Sequence, residues 1–435
     1  MKKFHLGWFL GPGITVQGWK APAYAASYDW TKPDIFQDGA RALERACFDY
    51  VLIEDSSYIG ESFKGSREIY LQNGIAVPRQ DPSVVATLMT AQTSRIGIVP
   101  TFATFAYPPY LLARLMATLD QVSAGRIGWN MVTGSSDYAA RNFGMDGLPE
   151  HDLRYDMADE YMELVNRLWS SWEPDALVAD TESGVLIDAA KVHQIDFEGK
   201  YFSSRGPLNS GPCTQGRPVI AQAGGSPRGR QFASRHADTI VASVKGVDAM
   251  RAYRDDVRRR MVEQGRDPET CKILFLVAPI IAETTEEAAR LRDARVAQVA
   301  QHVEQRLAFL GKITNIDFGQ FDLDAPVGSL TTNGHQQTLD DFKRKAGNRS
   351  LREAIVAFNS DGGSVPLVGS PSDIAAQMAE AMQAVGGDGF LFSMPNISRR
   401  SIAEIEDGLV PALQRRGLMR KSYAHAQFRD NLLDF

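Results

Sequence analysis

Short apolar runs bounded by turn residues recur along the chain and alternate with longer amphipathic segments. Eight of these runs have the composition and boundaries of buried β-strands. They are Phe4–Leu10, Tyr50–Asp55, Arg95–Thr101, Arg126–Val132, Pro218–Ala223, Asp238–Val244, Lys272–Ala282 and Gly389–Met394. The pattern therefore predicts eight strands spread over nearly the whole length.

Segments with helical periodicity separate the strands. In Pro109–Leu119, apolar residues recur at spacings of three and four and share one face. Similar patterns cover Asp156–Trp172, Val247–Glu263, Ser372–Val385 and Ile402–Arg416. Because apolar strands alternating with helices bury both faces of a parallel sheet, eight such units predict an α/β protein closed into a (β/α)8 TIM barrel. An open, doubly wound sheet is the alternative.

Two stretches are too long for simple strand-to-helix units, and we refer to them as the first insertion (about 173–217) and the second insertion (about 284–371). The first is polar and rich in turns, and the second is helical and then rich in Gly, Asn and Asp. We expect one barrel domain over residues 1–435, with both insertions at the carboxyl ends of the strands. Thr331–His335 and Asp361–Ser364 of the second insertion suit a mobile lid or a partner surface.

Composition narrows the function. The chain has 435 residues, a formal net charge of −6 and no long basic run, which argues against a nucleic-acid partner. Its three cysteines are widely spaced and predict neither a disulfide framework nor a metal cluster, so we expect a reducing cytoplasm. The apolar run at the N-terminus is short and interrupted, and no apolar stretch approaches the length of a membrane helix. We expect no membrane association.

Polar residues follow several of the predicted strands. Asp55, Thr101, Asn130 and Ser226 each lie at or just beyond a strand end. In a parallel barrel these ends meet at one face, where active sites are built. A structural alternative stays open for Asp55 and Thr101, since Asp and Thr are also common at helix caps and turns.

One segment is more specific than the rest. Ser-Ala-Gly-Arg-Ile-Gly-Trp-Asn-Met-Val-Thr at 123–133 closely resembles the fourth strand of the FMN-dependent two-component monooxygenases in the bacterial luciferase superfamily. That group contains nitrilotriacetate, dibenzothiophene sulfone and long-chain alkane monooxygenases and pristinamycin synthase. His-Asp-Leu-Arg-Tyr at 151–155, Gly-Gly-Ser at 224–226 and the C-terminal segments 411–418 and 429–431 resemble the same family in the same order.

The resemblance implies an FMN site and assigns residues to it. The cofactor-binding residues would be Asp55, Thr101, Asn130, His151, Tyr155, Gly225 and Ser226, and Asn130 and His151 would also be catalytic. Asn130 and Thr101 can hydrogen-bond the polar edge of an isoalloxazine ring. Gly225 and Ser226 precede a predicted helix at Pro227–Arg235, whose N-terminus suits a phosphate, and Tyr155 can add a phenolic donor. No metal ligand set is expected.

The resemblance also implies the reaction and the partners. Reduced FMN would react with O2 to form a flavin peroxide that oxygenates a small organic substrate. No Gly-x-Gly-x-x-Gly follows a predicted strand, so a separate NAD(P)H:FMN oxidoreductase would supply the reduced flavin. We expect a homodimer or homotetramer.

Three other functions are open at this stage. One is a deazaflavin-dependent oxidoreductase of the same superfamily, and another is a non-catalytic flavin-binding protein. A metal-dependent barrel hydrolase is disfavoured, because the chain has seven histidines and no His-x-His at a strand end.

The first loop departs from the family pattern. Many relatives carry a histidine after strand one, but residues 11–22 contain none, so Thr15, Gln17 or Lys20 would take its place. The aromatic residues near the expected barrel mouth are Tyr24, Tyr28, Trp30, Phe102, Phe105 and Tyr107. This cluster favours a flat or apolar substrate, although loops packing on themselves would give the same composition.

Overall fold

The protein folds around a closed barrel of parallel strands. In the computed structural model, residues 2–11, 31–360, 362–394 and 398–435 are described. The barrel strands are β1 (His5–Leu10), β2 (Tyr50–Ile53), β3 (Gly97–Ala103), β4 (Gly128–Val132), β5 (Val219–Gln222), β6 (Thr239–Ala242), β7 (Lys272–Val277) and β8 (Gly389–Phe392). Each strand pairs with its sequence neighbours and β1 pairs with β8, which confirms the predicted (β/α)8 barrel.

Helices connect the strands and surround the barrel. In chain order they are α1 (Asp34–Arg45), α2 (Glu68–Asn73), α3 (Pro82–Thr90), α4 (Pro109–Val122), α5 (Asp137–Asn142), α6 (His151–Trp169), α7 (Pro227–His236), α8 (Val247–Glu263), α9 (Thr285–Gln301), α10 (Val303–Thr314), α11 (Gln336–Ala346), α12 (Leu351–Ser360), α13 (Pro371–Val385), α14 (Arg399–Ala403), α15 (Val410–Arg415) and α16 (Phe428–Leu432). The helix predicted at Ile402–Arg416 is interrupted by a π-helical turn at Glu404–Leu409. Several residues named from the sequence lie outside the described ranges: Thr15, Gln17, Lys20, Tyr24, Tyr28, Trp30 and Asp361.

The C-terminal helix α16 closes the amino end of the barrel. Phe428 and Leu432 are fully buried in the apolar cluster formed by the strands. A Cβ added at Gly97 would lie 2.6 Å from the Phe428 ring, so glycine at this position leaves room for the ring. The amino end is therefore filled, and ligand access is left to the carboxyl ends of the strands.

The first insertion lies elsewhere than expected. It connects α6 to the amino end of β5 and contains two strand pairs, Leu177–Asp180 with Val185–Ile187 and Phe197–Glu198 with Ser203–Ser204. Its backbone packs along the outside of α6, where the N–H groups of Tyr201 and Phe202 donate to the Glu160 carboxylate at 2.7 Å. Because a helix-to-strand connection begins and ends at the amino ends of the strands, the expectation that this segment covers the active-site face is wrong.

The second insertion follows the carboxyl end of β7, as expected. Its helices α10–α12 pack with α2 around a separate apolar cluster that includes Tyr70, Leu307, Phe342 and Ile355. Its second half contains α11 and α12, where the sequence indicated mainly turns. Among the residues described, no helix is both long and apolar enough to cross a membrane.

Candidate active site

A cavity of about 180 Å³ opens at the carboxyl ends of β2, β3, β4 and β5. Three of the predicted site residues, Asp55, Thr101 and Tyr155, line it directly. The other lining residues are Ser56, Ser57, Tyr58, Ala103, Phe105, Val132, Thr133, Gly134, Ser135, Ser136, Ala139, Gln222, Ala223 and His335. Hydroxyl groups dominate the polar part of this lining.

Thr101 and Asn130 form the floor beneath the cavity. They are register partners on β3 and β4, and both side chains are more than nine-tenths buried. The Asn130 amide donates to Thr101 Oγ1 at 2.8 Å, and this hydroxyl donates to the Ile53 carbonyl at 2.6 Å. Asn130 Oδ1 is buried and has no hydrogen-bond partner within the described part of the chain. An unpaired buried acceptor costs about 1–3 kcal/mol, so this site fits a ligand that donates an N–H group.

A second polar group forms where α6 and α7 begin. Ser226 is the N-cap of α7, and its hydroxyl oxygen accepts from the Gly229 N–H at 3.0 Å. His151 is the first residue of α6, and its Nε2 lies 3.3 Å from Ser226 Oγ. The His151 and Tyr155 rings pack edge to face at 5.2 Å. The fold thus brings His151, Tyr155 and Ser226 together, although only Tyr155 lines the cavity.

Two side-chain hydroxyl groups can donate to an anion at this position. Pro227 has no N–H, and the Arg230 N–H already donates to the Ser226 carbonyl at 2.8 Å. Ser226 Oγ accepts from the Gly229 N–H, and its hydroxyl hydrogen can be donated either to His151 Nε2, 3.3 Å away, or to an anion. Burial raises the pKa of Tyr155, so its phenol stays protonated at neutral pH. The arrangement therefore offers two hydroxyl donors beside a helix N-terminus.

Asp55 has an unusual titration. Burial, together with the neighbouring Glu54, raises the pKa of Asp55 to about 6, while Arg79 opposes this shift. The carboxyl group can therefore exchange a proton near neutral pH. Neither Asp55 nor Thr101 lies at the start of a helix, so the interpretation of these residues as helix caps is wrong.

The opposite wall comes from the second insertion. The sequence indicated its segment Thr331–His335 as a lid or a partner surface but assigned none of its residues to the site. His335 lines the cavity, and burial together with nearby His151 lowers the His335 pKa, so its imidazole is neutral at pH 7. Buried Arg154 on α6 donates to the Gly134 carbonyl and, at 2.7 Å, to the Asn333 carbonyl. Arg154 thereby ties the insertion to the loop after β4.

Gly225 and the predicted aromatic residues lie near the cavity but contribute to it in different ways. A Cβ at Gly225 would lie 2.6 Å from Cβ of Gln337, so the absence of a side chain lets α11 pack closely at this turn. Of the described aromatic residues, Phe105 lines the cavity, whereas Phe102 and Tyr107 pack against each other at 5.0 Å and are not part of the lining. The aromatic cluster contributes to the site only in part.

Gln222, Lys312 and His335 were not predicted as site residues, although the sequence around each of them contains a weak indication. Gln222 ends β5, a position at which side chains of a barrel commonly face the ligand. Lys312 is a buried cation within the helical part of the second insertion, where a charge is unusual. The turn chemistry of Thr331–His335 indicated a lid or a partner surface, but whether His335 enters the cavity wall depends on how the insertion folds back.

Comparisons with known proteins agree with this geometry. The model of the luciferase-like monooxygenase family matches residues 7–389. The chain is 35% identical over 441 residues to a dibenzothiophene-sulfone monooxygenase from Rhodococcus erythropolis (strain XP), covering 99% of this chain and 96% of the relative. It is 34% identical over 418 residues to a dimethyl-sulfide monooxygenase from Hyphomicrobium sulfonivorans, covering 95% and 86% of the two chains.

A solved structure is similarly close. The crystal structure of a riboflavin lyase with modified FMN and the substrate riboflavin superposes with a TM-score of 0.89 at 33% identity, covering 100% of this chain and 96% of that one. The family resemblance inferred from the strand-four segment is thereby confirmed. This chain belongs to the luciferase-like monooxygenase family and is a flavin-dependent monooxygenase.

Proposed function

We propose that the protein binds reduced FMN at the carboxyl ends of β2–β5 and, with O2, inserts one oxygen atom into a small organic substrate. The observation that carries this proposal is the unpaired, buried Oδ1 of Asn130. It lies beneath a cavity rich in hydroxyl groups, with two further donors near the start of α7. When bound, the reduced flavin supplies the electrons that activate O2.

The residues have separable tasks in this proposal. Asn130 and Thr101 hold the polar edge of the ring system, and the Asp55 carboxyl, whose pKa is raised, adds a donor or an acceptor according to pH. Ser226 and Tyr155 donate to the phosphate, while Gly225 lets the backbone approach it. His151 stands beside Ser226, orients its hydroxyl and also acts on the reacting groups.

The second insertion would keep water out of the site. His335 covers the cavity and Arg154 fixes the Asn333 backbone against the loop after β4. An oxygenating enzyme needs this protection, because water that enters the site lets activated oxygen leave as hydrogen peroxide before it can react with the substrate.

The cavity lining favours a neutral substrate. In the part of the chain that the structure describes, no Lys or Arg lines the cavity, whereas Ala103, Phe105 and Val132 offer an apolar surface. Two relatives are named for acting on organosulfur compounds. We therefore propose neutral organosulfur compounds, and flat or apolar molecules in general, as the first substrates to test.

A separate NAD(P)H:FMN oxidoreductase would supply the reduced flavin by diffusion or by docking. The test is a titration of the purified protein with oxidised and photoreduced FMN, followed by a substrate screen with an added flavin reductase. We expect tighter binding of reduced FMN, little NADH oxidation by the protein alone, and a product heavier by one oxygen atom when the reductase is present. Robust NADH oxidation by the isolated protein would contradict the two-component arrangement.

The same experiment separates the alternatives. A deazaflavin-dependent oxidoreductase would bind the deazaflavin in preference to FMN and would consume no O2. A non-catalytic flavin-binding protein would bind both redox states similarly and form no product. A homodimer or homotetramer remains our expectation, and light scattering after size-exclusion chromatography measures it.

A further inference from the structure

Lys312 is a buried cation behind one wall of the cavity. It belongs to α10 of the second insertion, and 3% of its surface is exposed. Nζ donates to Ser56 Oγ at 2.9 Å and lies 4.1 Å from the centre of the Tyr58 ring. The Tyr58 hydroxyl in turn donates to the Lys312 carbonyl at 2.7 Å. Because Ser56 and Tyr58 line the cavity, this lysine joins the insertion directly to the cavity wall.

The positive charge of Lys312 is poorly balanced by its surroundings. Within the described ranges, Nζ forms no ion pair, and the nearby Glu54 carboxylate is held by Arg79. Asp55 is the other carboxyl group that acts on Lys312 electrostatically. Burial and Arg79 lower the pKa of Lys312 to about 7, whereas Glu54 and Asp55 oppose this shift. A buried cation of this kind is costly, and an anion in the adjacent cavity would lower that cost.

Reduced flavin is such an anion. Its ring loses a proton near neutral pH, whereas the ring of oxidised flavin is neutral. We propose that Lys312 is a positioning residue whose charge, placed behind Ser56, favours binding of the anionic reduced flavin over the oxidised flavin. This inference rests on the proposed function and explains how the second insertion contributes to the redox preference of the site.

The test measures the affinity of oxidised and photoreduced FMN under anaerobic conditions for the wild type, Lys312→Met and Lys312→Arg. Lys343→Met is the matched control, because Lys343 lies on α11 of the same insertion with an exposed side chain. We expect Lys312→Met to reduce the ratio of reduced to oxidised affinity about tenfold, as a unit charge removed ~10 Å away at an effective dielectric constant of ~20 would do. Lys312→Arg restores most of the ratio, and the control leaves it unchanged.

These affinities distinguish a failure of the role of Lys312 from a failure of the proposed function. A wild type that prefers reduced FMN, with the same ratio in folded Lys312→Met, overturns this inference and leaves the proposed function standing. A wild type that binds neither form overturns both.

A second measurement serves if Lys312→Met does not fold. The wild-type preference for reduced FMN must then fall between about pH 7.5 and about pH 9, because Lys312, which is largely neutral there in the unliganded protein, must take up a proton to pair with the anionic flavin. In this interval Asp55, with a pKa of about 6, is already ionised, and burial keeps the Tyr58 pKa above its ordinary value. A preference that stays constant over this interval would contradict the role of Lys312.

Discussion

The two walls of the cavity are built in different ways. The barrel wall consists of strand ends, and its polar residues Thr101 and Asn130 are held by the register of β3 and β4. The insertion wall consists of a loop and helices that pack around their own apolar cluster, and it contributes His335 and, one layer behind, Lys312. The first wall is part of the closed sheet, whereas the second can vary without altering the sheet. We infer that flavin binding depends on the barrel wall and that protection and charge depend on the insertion wall.

The largest expected effect is on the barrel side. Ser226→Asp should weaken FMN binding about 100-fold, because a carboxylate would face the phosphate at close range. Aspartate is itself a favourable N-cap, so α7 should still begin at the same residue. Isothermal titration measures the affinity, and riboflavin, which lacks the phosphate, should bind the variant and the wild type equally. Unchanged FMN affinity would place the phosphate elsewhere.

Asn130→Ala should uncouple the reaction. The substitution removes the buried acceptor proposed for the flavin, and we expect about tenfold more hydrogen peroxide per oxygenated product. Thermal stability should change little, because removal of the unpaired, buried Oδ1 offsets the loss of the hydrogen bond to Thr101. Asn142→Ala, which removes a more exposed hydrogen bond to the Ser57 carbonyl, is the control. A large drop in melting temperature with unchanged coupling would assign Asn130 a structural role.

The same assay of His151→Ala tests its proposed role beside Ser226.

His335→Ala tests whether the insertion wall protects the site from water without contributing to flavin affinity. The neutral imidazole covers the cavity, and its Nδ1 lies 2.6 Å from the Thr338 hydroxyl. Its removal should leave FMN affinity within a factor of about two while raising peroxide release about threefold, because water gains access while the groups that bind the flavin stay in place. Equal reductions of affinity in His335→Ala and Asn130→Ala would show that the two walls do not divide the tasks as we infer.

The smallest expected effect is the pH-dependent change in the free energy of unfolding caused by Asp55→Asn. Burial raises the pKa of Asp55 to about 6, so the folded protein binds this proton more tightly than the unfolded chain does. The resulting stabilisation is complete below the unfolded pKa and is lost as the pH rises through about 6. Relative to the wild type, Asp55→Asn should therefore gain on the order of 1 kcal/mol between about pH 4 and about pH 7, after allowance for partial exposure.

Urea denaturation at several pH values measures this difference. Asp248→Asn is the control, because the Asp248 side chain is 97% exposed. A stability difference between Asp55→Asn and the wild type that does not vary with pH would show that Asp55 has an ordinary pKa in the folded protein.

The sequence alone determined the barrel and most of its polar wall. Eight apolar runs correspond to β1–β8, because continuous burial on both faces of a parallel sheet leaves a local signature in each strand. Asn130 and Thr101 could be named in advance, since residues that end parallel strands meet at one face of a barrel. Tyr155 and His151 were inferred only through family resemblance, whereas Ser226 was also indicated by its position just beyond a strand end. The fold shows why the three residues lie together.

Tertiary structure alone decided the rest. The first insertion packs on the outside of α6, a result of its place before β5 rather than of its composition. His335 reaches the cavity, and Lys312 the layer behind its wall, because α10–α12 fold around a core shared with α2. These helices lie more than two hundred residues from α2 in the chain. No periodicity or turn pattern encodes such long-range packing. Local burial patterns therefore fix the elements, whereas the charge and the cover of the active site are set by packing between elements that are distant in the chain.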